Sequence, residues 1–179
     1  SLRRLDHRRM TDTVAAPPTP LAAASDREMS ETTNGRKVAA LVTVCASLMV
    51  ITLDVTILNV ALPTLADELG AGNSALQWFV NAYELVFAGF LLTAGAIADR
   101  FGRRRILAMG LTLFAVASAA SAAATSPREL IAARAVMGIG GAMVVPATLS
   151  LVTNVFTSPT ARAKAIAVWA SVAALGLGL

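Results

Sequence analysis

The sequence predicts an all-α membrane protein in which four helices cross the bilayer in full and a fifth is begun. Three observations lead there. The 179 residues are 56% hydrophobic and only 15% charged, whereas a soluble domain carries about 45–50% apolar and about 25% charged residues. The apolar residues gather into runs that meet the roughly 20 residues a bilayer-spanning helix needs. Lysine and arginine cluster between alternate runs, as topology requires of cytoplasmic loops. The same composition excludes other classes. The single cysteine, Cys45, lies in an apolar run and cannot form an internal bridge. The single histidine, His7, lies in a polar segment, so neither a Cys/His metal site nor a nucleophile–His pair can be assembled, and no catalytic group, metal or cofactor is expected. A net charge of +4 does not imply nucleic acid, because the basic residues punctuate apolar segments rather than forming one face of a soluble domain.

Residues 1–37 come first: a polar, basic segment with Pro17, Pro18 and Pro20, no apolar core and no signal-peptide h-region. It is expected to be a disordered tail. The apolar runs follow at about 38–62, 76–98, 106–124, 130–155 and 165–179. Together they make up a partial half-bundle over 38–179, and the fifth run is too short for a full span. The remainder of the chain's own bundle is thus an expected partner, as is the lipid bilayer. The runs are too long and too uniform for alternating barrel strands, and short polar loops argue against buried helices of a soluble protein.

Arg100, Arg103, Arg104 and Arg105 follow the second run, and Arg162 and Lys164 precede the fifth. The loop after the first run holds Asp67 and Glu68 with no basic residue, and the loop after the third holds only Arg128. The N-terminus is therefore expected in the cytoplasm.

Three charges fall within the runs: Asp54, Glu84 and Arg134. At about 1.5 Å per residue, both acids lie roughly 12 Å below the outer boundary and Arg134 roughly 6 Å below it. Charges at such depth are costly and face a cavity or a partner. Asp54 and Glu84 are therefore candidates for carrying a proton or meeting a cationic substrate. The alternative is a structural pair that neutralises Arg134. On the second helix Gln77, Asn81, Glu84, Ala88, Leu91 and Gly95 share one stripe, polar outside and small inside, as for a helix lining a cavity. Trp78 and Tyr83 read as interfacial anchors. Gly138 and Gly141 share a face with Arg134, and small residues there let helices approach closely. Gly138-Ile-Gly140-Gly141 follows no strand and lacks a Lys-Ser/Thr ending, so it is not a nucleotide loop.

The stretch Gly95-x-x-x-Asp99-Arg100-x-Gly102-Arg103-Arg104 resembles the signature loop between helices two and three of the major facilitator superfamily. Leu53-Asp54-Val55-Thr56 through Pro63 resembles the first-helix motif of drug:proton antiporters, in particular the fourteen-helix group. Arg134 through Gly141 is similar to that group's fourth-helix motif, and Gln77-Trp78, Asn81 and Tyr83 to its second-helix start. The resemblance implies the N-terminal part of a superfamily bundle and alternating access about a central site. It implies proton-coupled efflux of small amphipathic or cationic compounds, with protons as the coupled species. It implies a coupling role for Asp54 and for Arg134; it does not call for an acid at Glu84, which is a candidate from its depth in the span. It implies a cytoplasmic gate at Gly95, Asp99, Arg100, Gly102, Arg103 and Arg104. Gly138, Gly141 and Gly176 are read as helix-packing positions. The Gly-Pro centre of the antiporters' fifth-helix motif would fall just past Leu179, so a metabolite uniporter or symporter of the same fold, or a non-transporting scaffold, remain as alternatives.

Overall fold

The structure, a computed structural model, describes the backbone of residues 20–178 and the side chains of residues 35–175. Two units partition the chain, Ser1–Arg36 and Lys37–Leu179. The described residues form five helices: α1 (Pro20–Leu69), α2 (Asn73–Phe101), α3 (Arg103–Ala122), α4 (Pro127–Val155) and α5 (Pro159–Gly178). Helices α2, α3, α4 and residues 35–69 of α1 are long and apolar enough to cross a membrane; α5, at 20 residues, equals α3 in length.

The helices outrun the apolar runs at several ends, because polar residues continue a helix into the interface where hydropathy no longer marks it. The largest difference is at α1. It begins at Pro20, inside the segment expected to be a disordered tail. Proline is tolerated in the first helical turn, and the Ala-rich, Glu- and Arg-containing stretch after it favours helix without needing an apolar core. Residues 1–19, the rest of that expected tail, lie outside the described residues. At its other end α1 runs through Pro63 to Leu69, and Leu62, Leu65 and Leu69 pack around Leu58, Phe79 and Leu130.

The start of α4 was also placed late. Ser126 accepts a hydrogen bond from the Glu129 backbone N–H at 3.4 Å, and Pro127 opens the helix. The Glu129 carboxylate reaches back to accept from the Thr125 N–H at 2.8 Å and from its hydroxyl at 3.1 Å. This reciprocal cap satisfies donors that would otherwise be orphaned.

Helix α4 is the centre of the Lys37–Leu179 unit. It lies at backbone range against both α2 and α3, which touch each other only sparingly. Glycines make this approach possible on two faces. A Cβ on Gly138 would stand 2.6 Å from the Tyr83 carbonyl oxygen of α2. On the other face, a Cβ on Gly140 would stand 2.9 Å from the Gly110 carbonyl oxygen of α3, and one on Gly110 would meet Met143 at 2.8 Å. Around this contact Ile51, Tyr83, Phe114, Met137, Val144 and Ala147 form the main core. Val44, Val152 and Ala165 join α1, α4 and α5, and the Trp169 indole N–H donates to the Thr148 hydroxyl at 3.2 Å. Large apolar side chains remain on the outside, among them Leu92, Val60, Val116 and Leu85. On a water-soluble surface such a coat would be an aggregation liability; against lipid it is the expected exterior.

Candidate functional site

Arg134 is the most demanding side chain of the bundle. It is 3% exposed, it cannot lose its proton, and it sits eight residues past the Ser126 cap of α4 among apolar neighbours. The fold answers each of its needs with a named group. Its Nη1 pairs with the Asp54 carboxylate of α1. Its Nε donates to the Phe79 carbonyl of α2 at 3.0 Å. The Met137 sulfur, one turn along α4, lies 3.9 Å from Nη1. The guanidinium carbon stands 4.8 Å from the centre of the Tyr83 ring, close enough for a cation–π contact. One arginine therefore ties three helices together.

The neighbours of this cluster are fixed by packing. Tyr83 is 5% exposed and stacks on Phe87, with ring centres 5.8 Å apart. Its hydroxyl lies over Gly141, where a Cβ would come within 2.7 Å of the oxygen. Phe79 is fully buried. Asp54 differs: its side chain keeps 19% exposure, so the pair has an inner, sealed member and an outer member with access to its surroundings.

The structure brings Asp54 and Arg134 together but leaves Glu84 out. Glu84 is exposed, and the ion pairs found among the described residues are Arg134–Asp54 and Arg103–Asp99. The reading in which either acid neutralises Arg134 is therefore corrected: Asp54 alone does. The reason is helical phase. Tyr83 faces Arg134, and the next residue in a helix turns about 100° away. Gln77, Asn81 and Ala88 are exposed together with Glu84, while Phe79, Ala82 and Tyr83 are buried. The polar stripe of α2 is thus the open side of the helix in its N-terminal half, and further along it Leu91 and Gly95 are half-buried.

Tyr83 itself was misread. A tyrosine seven residues into an apolar run suggests an anchor near the water boundary, whereas this one is a core residue under Arg134. Its spacing from Phe79 and Phe87, four residues on either side, places all three on one face of α2; that signal was present in the sequence. Trp78 is exposed.

The second polar cluster lies between α2 and α3. Gly102 has φ +98°, a backbone that side-chain-bearing residues rarely adopt, and this lets α3 start immediately after α2 ends. Asp99 accepts from Arg103 Nε at 3.2 Å and Nη2 at 3.0 Å. Arg103 Nη1 also donates to the Ser150 carbonyl of α4 at 3.3 Å. Arg100 lies over the Phe101 ring at 5.7 Å, and Arg104 is exposed. Of the three expected gate arginines, Arg100, Arg103 and Arg104, it is Arg103 that Asp99 holds. A Cβ on Gly95 would meet Pro146 at an ordinary 3.8 Å. Gly138 and Gly141 do stand where a side chain would collide with α2. The surroundings of Gly176 lie outside the described residues. No group of three or more His, Cys, Asp or Glu among the described residues could hold a metal ion.

Comparison with known proteins places this geometry in context. The family model described as Major Facilitator Superfamily matches residues 44–179. The chain is 43% identical over 141 residues to the puromycin resistance protein pur8 of Streptomyces alboniger, covering 76% of this chain and 28% of the relative. It is 43% identical over 140 residues to the multidrug efflux pump LfrA of Mycolicibacterium smegmatis, covering 78% and 28%. It is 44% identical over 126 residues to the methyl viologen resistance protein SmvA of Salmonella typhimurium, covering 70% and 26%. The chain thus spans little more than a quarter of the length of the curated relatives it matches.

Proposed function

The chain belongs to the Major Facilitator Superfamily, and from that premise we propose that the full-length protein is a proton-coupled exporter of small amphipathic or cationic compounds. It is a transporter rather than an enzyme, and it works by alternating access across the plasma membrane. Residues 1–37 lie in the cytoplasm, with the Arg103 loop on the same side and the Asp67 loop outside. The names of its relatives, which speak of resistance to puromycin and methyl viologen and of multidrug efflux, support export of such compounds.

The observation that carries this reading is the Arg134–Asp54 pair. A permanently charged arginine is sealed between three helices, and its counter-ion can be neutralised by one proton. Protonation of Asp54 therefore changes the charge of the cluster from balanced to +1, and a buried imbalance of that kind is expensive enough to bias one packing over another. Asp54 is the proton site, and Arg134 biases it. Glu84, on the open stripe with Gln77 and Asn81, meets the positive end of a cationic substrate. Asp99, Arg100, Gly102, Arg103 and Arg104, with Gly95 one turn before Asp99, form the cytoplasmic gate, in which the Arg103 bond to Ser150 is broken and remade as α3 and α4 shift. Gly138 and Gly141 hold α2 to α4, and Gly176 serves packing on α5.

The test is efflux from proteoliposomes of the full-length protein under an imposed pH gradient. Asp54→Asn is expected to abolish gradient-driven efflux and to leave some substrate binding. Glu84→Gln is expected to lose cationic substrates and spare neutral ones. If Arg134→Met combined with Asp54→Asn restores driven efflux, the pair is structural and the proposal falls.

A further inference from the structure

We infer that Tyr83 is a positioning residue for the coupling pair: its ring face keeps the Arg134 guanidinium in place while Asp54 gains and loses its proton. The inference rests on the reading of Asp54 as the proton site and extends it to a residue which that reading does not need.

The argument starts from what Arg134 faces when Asp54 is neutral. The arginine stays charged and stays 3% exposed, so water cannot take over from the lost anion. The charged groups around it are Asp54 on α1 and, next to Tyr83 but turned outward on α2, Glu84. Its remaining partners are the Phe79 carbonyl, the Met137 sulfur and the Tyr83 ring. The carbonyl grips one edge of the guanidinium, through Nε. The ring alone covers its face, and the attraction of an aromatic face for a cation grows when both are desolvated. Without the ring, a guanidinium released by Asp54 would be held along one edge and free to swing about it.

The ring is also fixed more firmly than a core tyrosine requires. Phe87 stacks against it with planes 16° apart, and the hydroxyl rests on Gly141, where even a methyl group would come to 2.7 Å. The ring carbon Cζ is farther from that point, at 3.5 Å. A side chain at 141 would therefore push Tyr83 through its oxygen and not through its ring. This separates ring from hydroxyl experimentally.

The experiment uses the full-length protein in proteoliposomes, with ethidium as the cationic probe. It measures efflux driven by a pH gradient, counterflow exchange without a gradient, and a melting curve. Tyr83→Leu is expected to cut driven efflux by about tenfold or more, the scale of a desolvated cation–π contact, with counterflow near wild type and melting lowered by the lost core packing. Tyr83→Phe keeps the ring and is expected to stay within about twofold of wild type. Gly141→Ala is expected to be impaired in driven efflux, and adding Tyr83→Phe is expected to restore it in part, because removing the oxygen clears the 2.7 Å collision and leaves the tighter-than-usual 3.2 Å approach to Phe87 Cδ2. Wild-type driven efflux in Tyr83→Leu would overturn the inference. So would a Tyr83→Phe variant as deficient as Tyr83→Leu, or a parallel fall of driven efflux and counterflow. Asp54→Asn, measured alongside, separates the two ideas. Driven efflux retained in Asp54→Asn but lost in Tyr83→Leu refutes the proton site alone, and the reverse pattern refutes the positioning role alone.

Discussion

Removing the Asp54 charge should destabilise the protein more than removing the Arg134 charge, and removing both should destabilise it least. Asp54→Asn leaves a guanidinium that is 3% exposed and cannot deprotonate. Breaking a buried pair from one side costs about 3–5 kcal/mol. The new amide oxygen still accepts from Nη1, and a hydrogen bond to a charged group is worth about 1.5–3 kcal/mol. The expected net loss is therefore about 1–3 kcal/mol. Arg134→Met leaves instead a carboxyl whose side chain is 19% exposed; it can take a proton and become neutral, so its loss is smaller. The double variant buries no charge, and replacing a buried pair by neutral groups is often close to neutral in stability. Thermal unfolding of the full-length protein in detergent measures the order. At about 2–4 °C per kcal/mol for a cooperative unit of about 150–250 residues, Asp54→Asn should melt roughly 2–12 °C low. The double variant should melt above it. An Asp54→Asn variant melting with wild type, or a double variant no higher than the sum of the two single losses, would refute this account of the pair.

Other expectations follow from the packing and the loop. Gly138→Ala forces a Cβ to 2.6 Å from a backbone oxygen and should cost about 1–3 kcal/mol as overpacking, whereas Gly95→Ala, with 3.8 Å of room, should melt with wild type; equal melting of the two would refute the contact argument. Asp99→Asn in the full-length protein should insert normally and transport poorly, since it removes the anion that holds Arg103; wild-type transport would reduce this loop to a topogenic signal. In a Cys45→Ala background, Gly72→Cys should be labelled from outside intact cells and Arg105→Cys protected; the opposite pattern would invert the topology.

Much of the bundle was legible because lipid leaves few options. A span must be apolar along its length, so hydropathy located four helices, and the rarity of charge inside them singled out Asp54, Glu84 and Arg134. Depth along a helix is linear in residue number, which put those three at comparable levels. Azimuth was harder. Asp54 and Glu84 looked equivalent in depth, but a turn of about 100° per residue decides that Tyr83 faces Arg134 and Glu84 does not. Nor could sequence find the Phe79 carbonyl, because every residue has one. Gly138 and Gly141 were read as packing positions, while Gly140 and its counterpart Gly110 emerged only with α3 in place, since pairing glycines on different helices needs the crossing point. The helix ends were placed short because hydropathy fades before the backbone stops being helical, as at Asn73 and Pro127.

The two glycine faces of α4 also set an order of assembly. During synthesis α2 and α3 leave the ribosome before α4, and they have little that holds them to each other. Their matching surfaces, around Tyr83 on one and Gly110 on the other, find no partner until the chain has been made as far as Val155. The insertion machinery must therefore hold a loose hairpin of two spans until the third one arrives to close it. Arg134 enters the bilayer at that same moment, so the step that completes the packing is also the one that delivers the arginine to an aspartate already in the membrane.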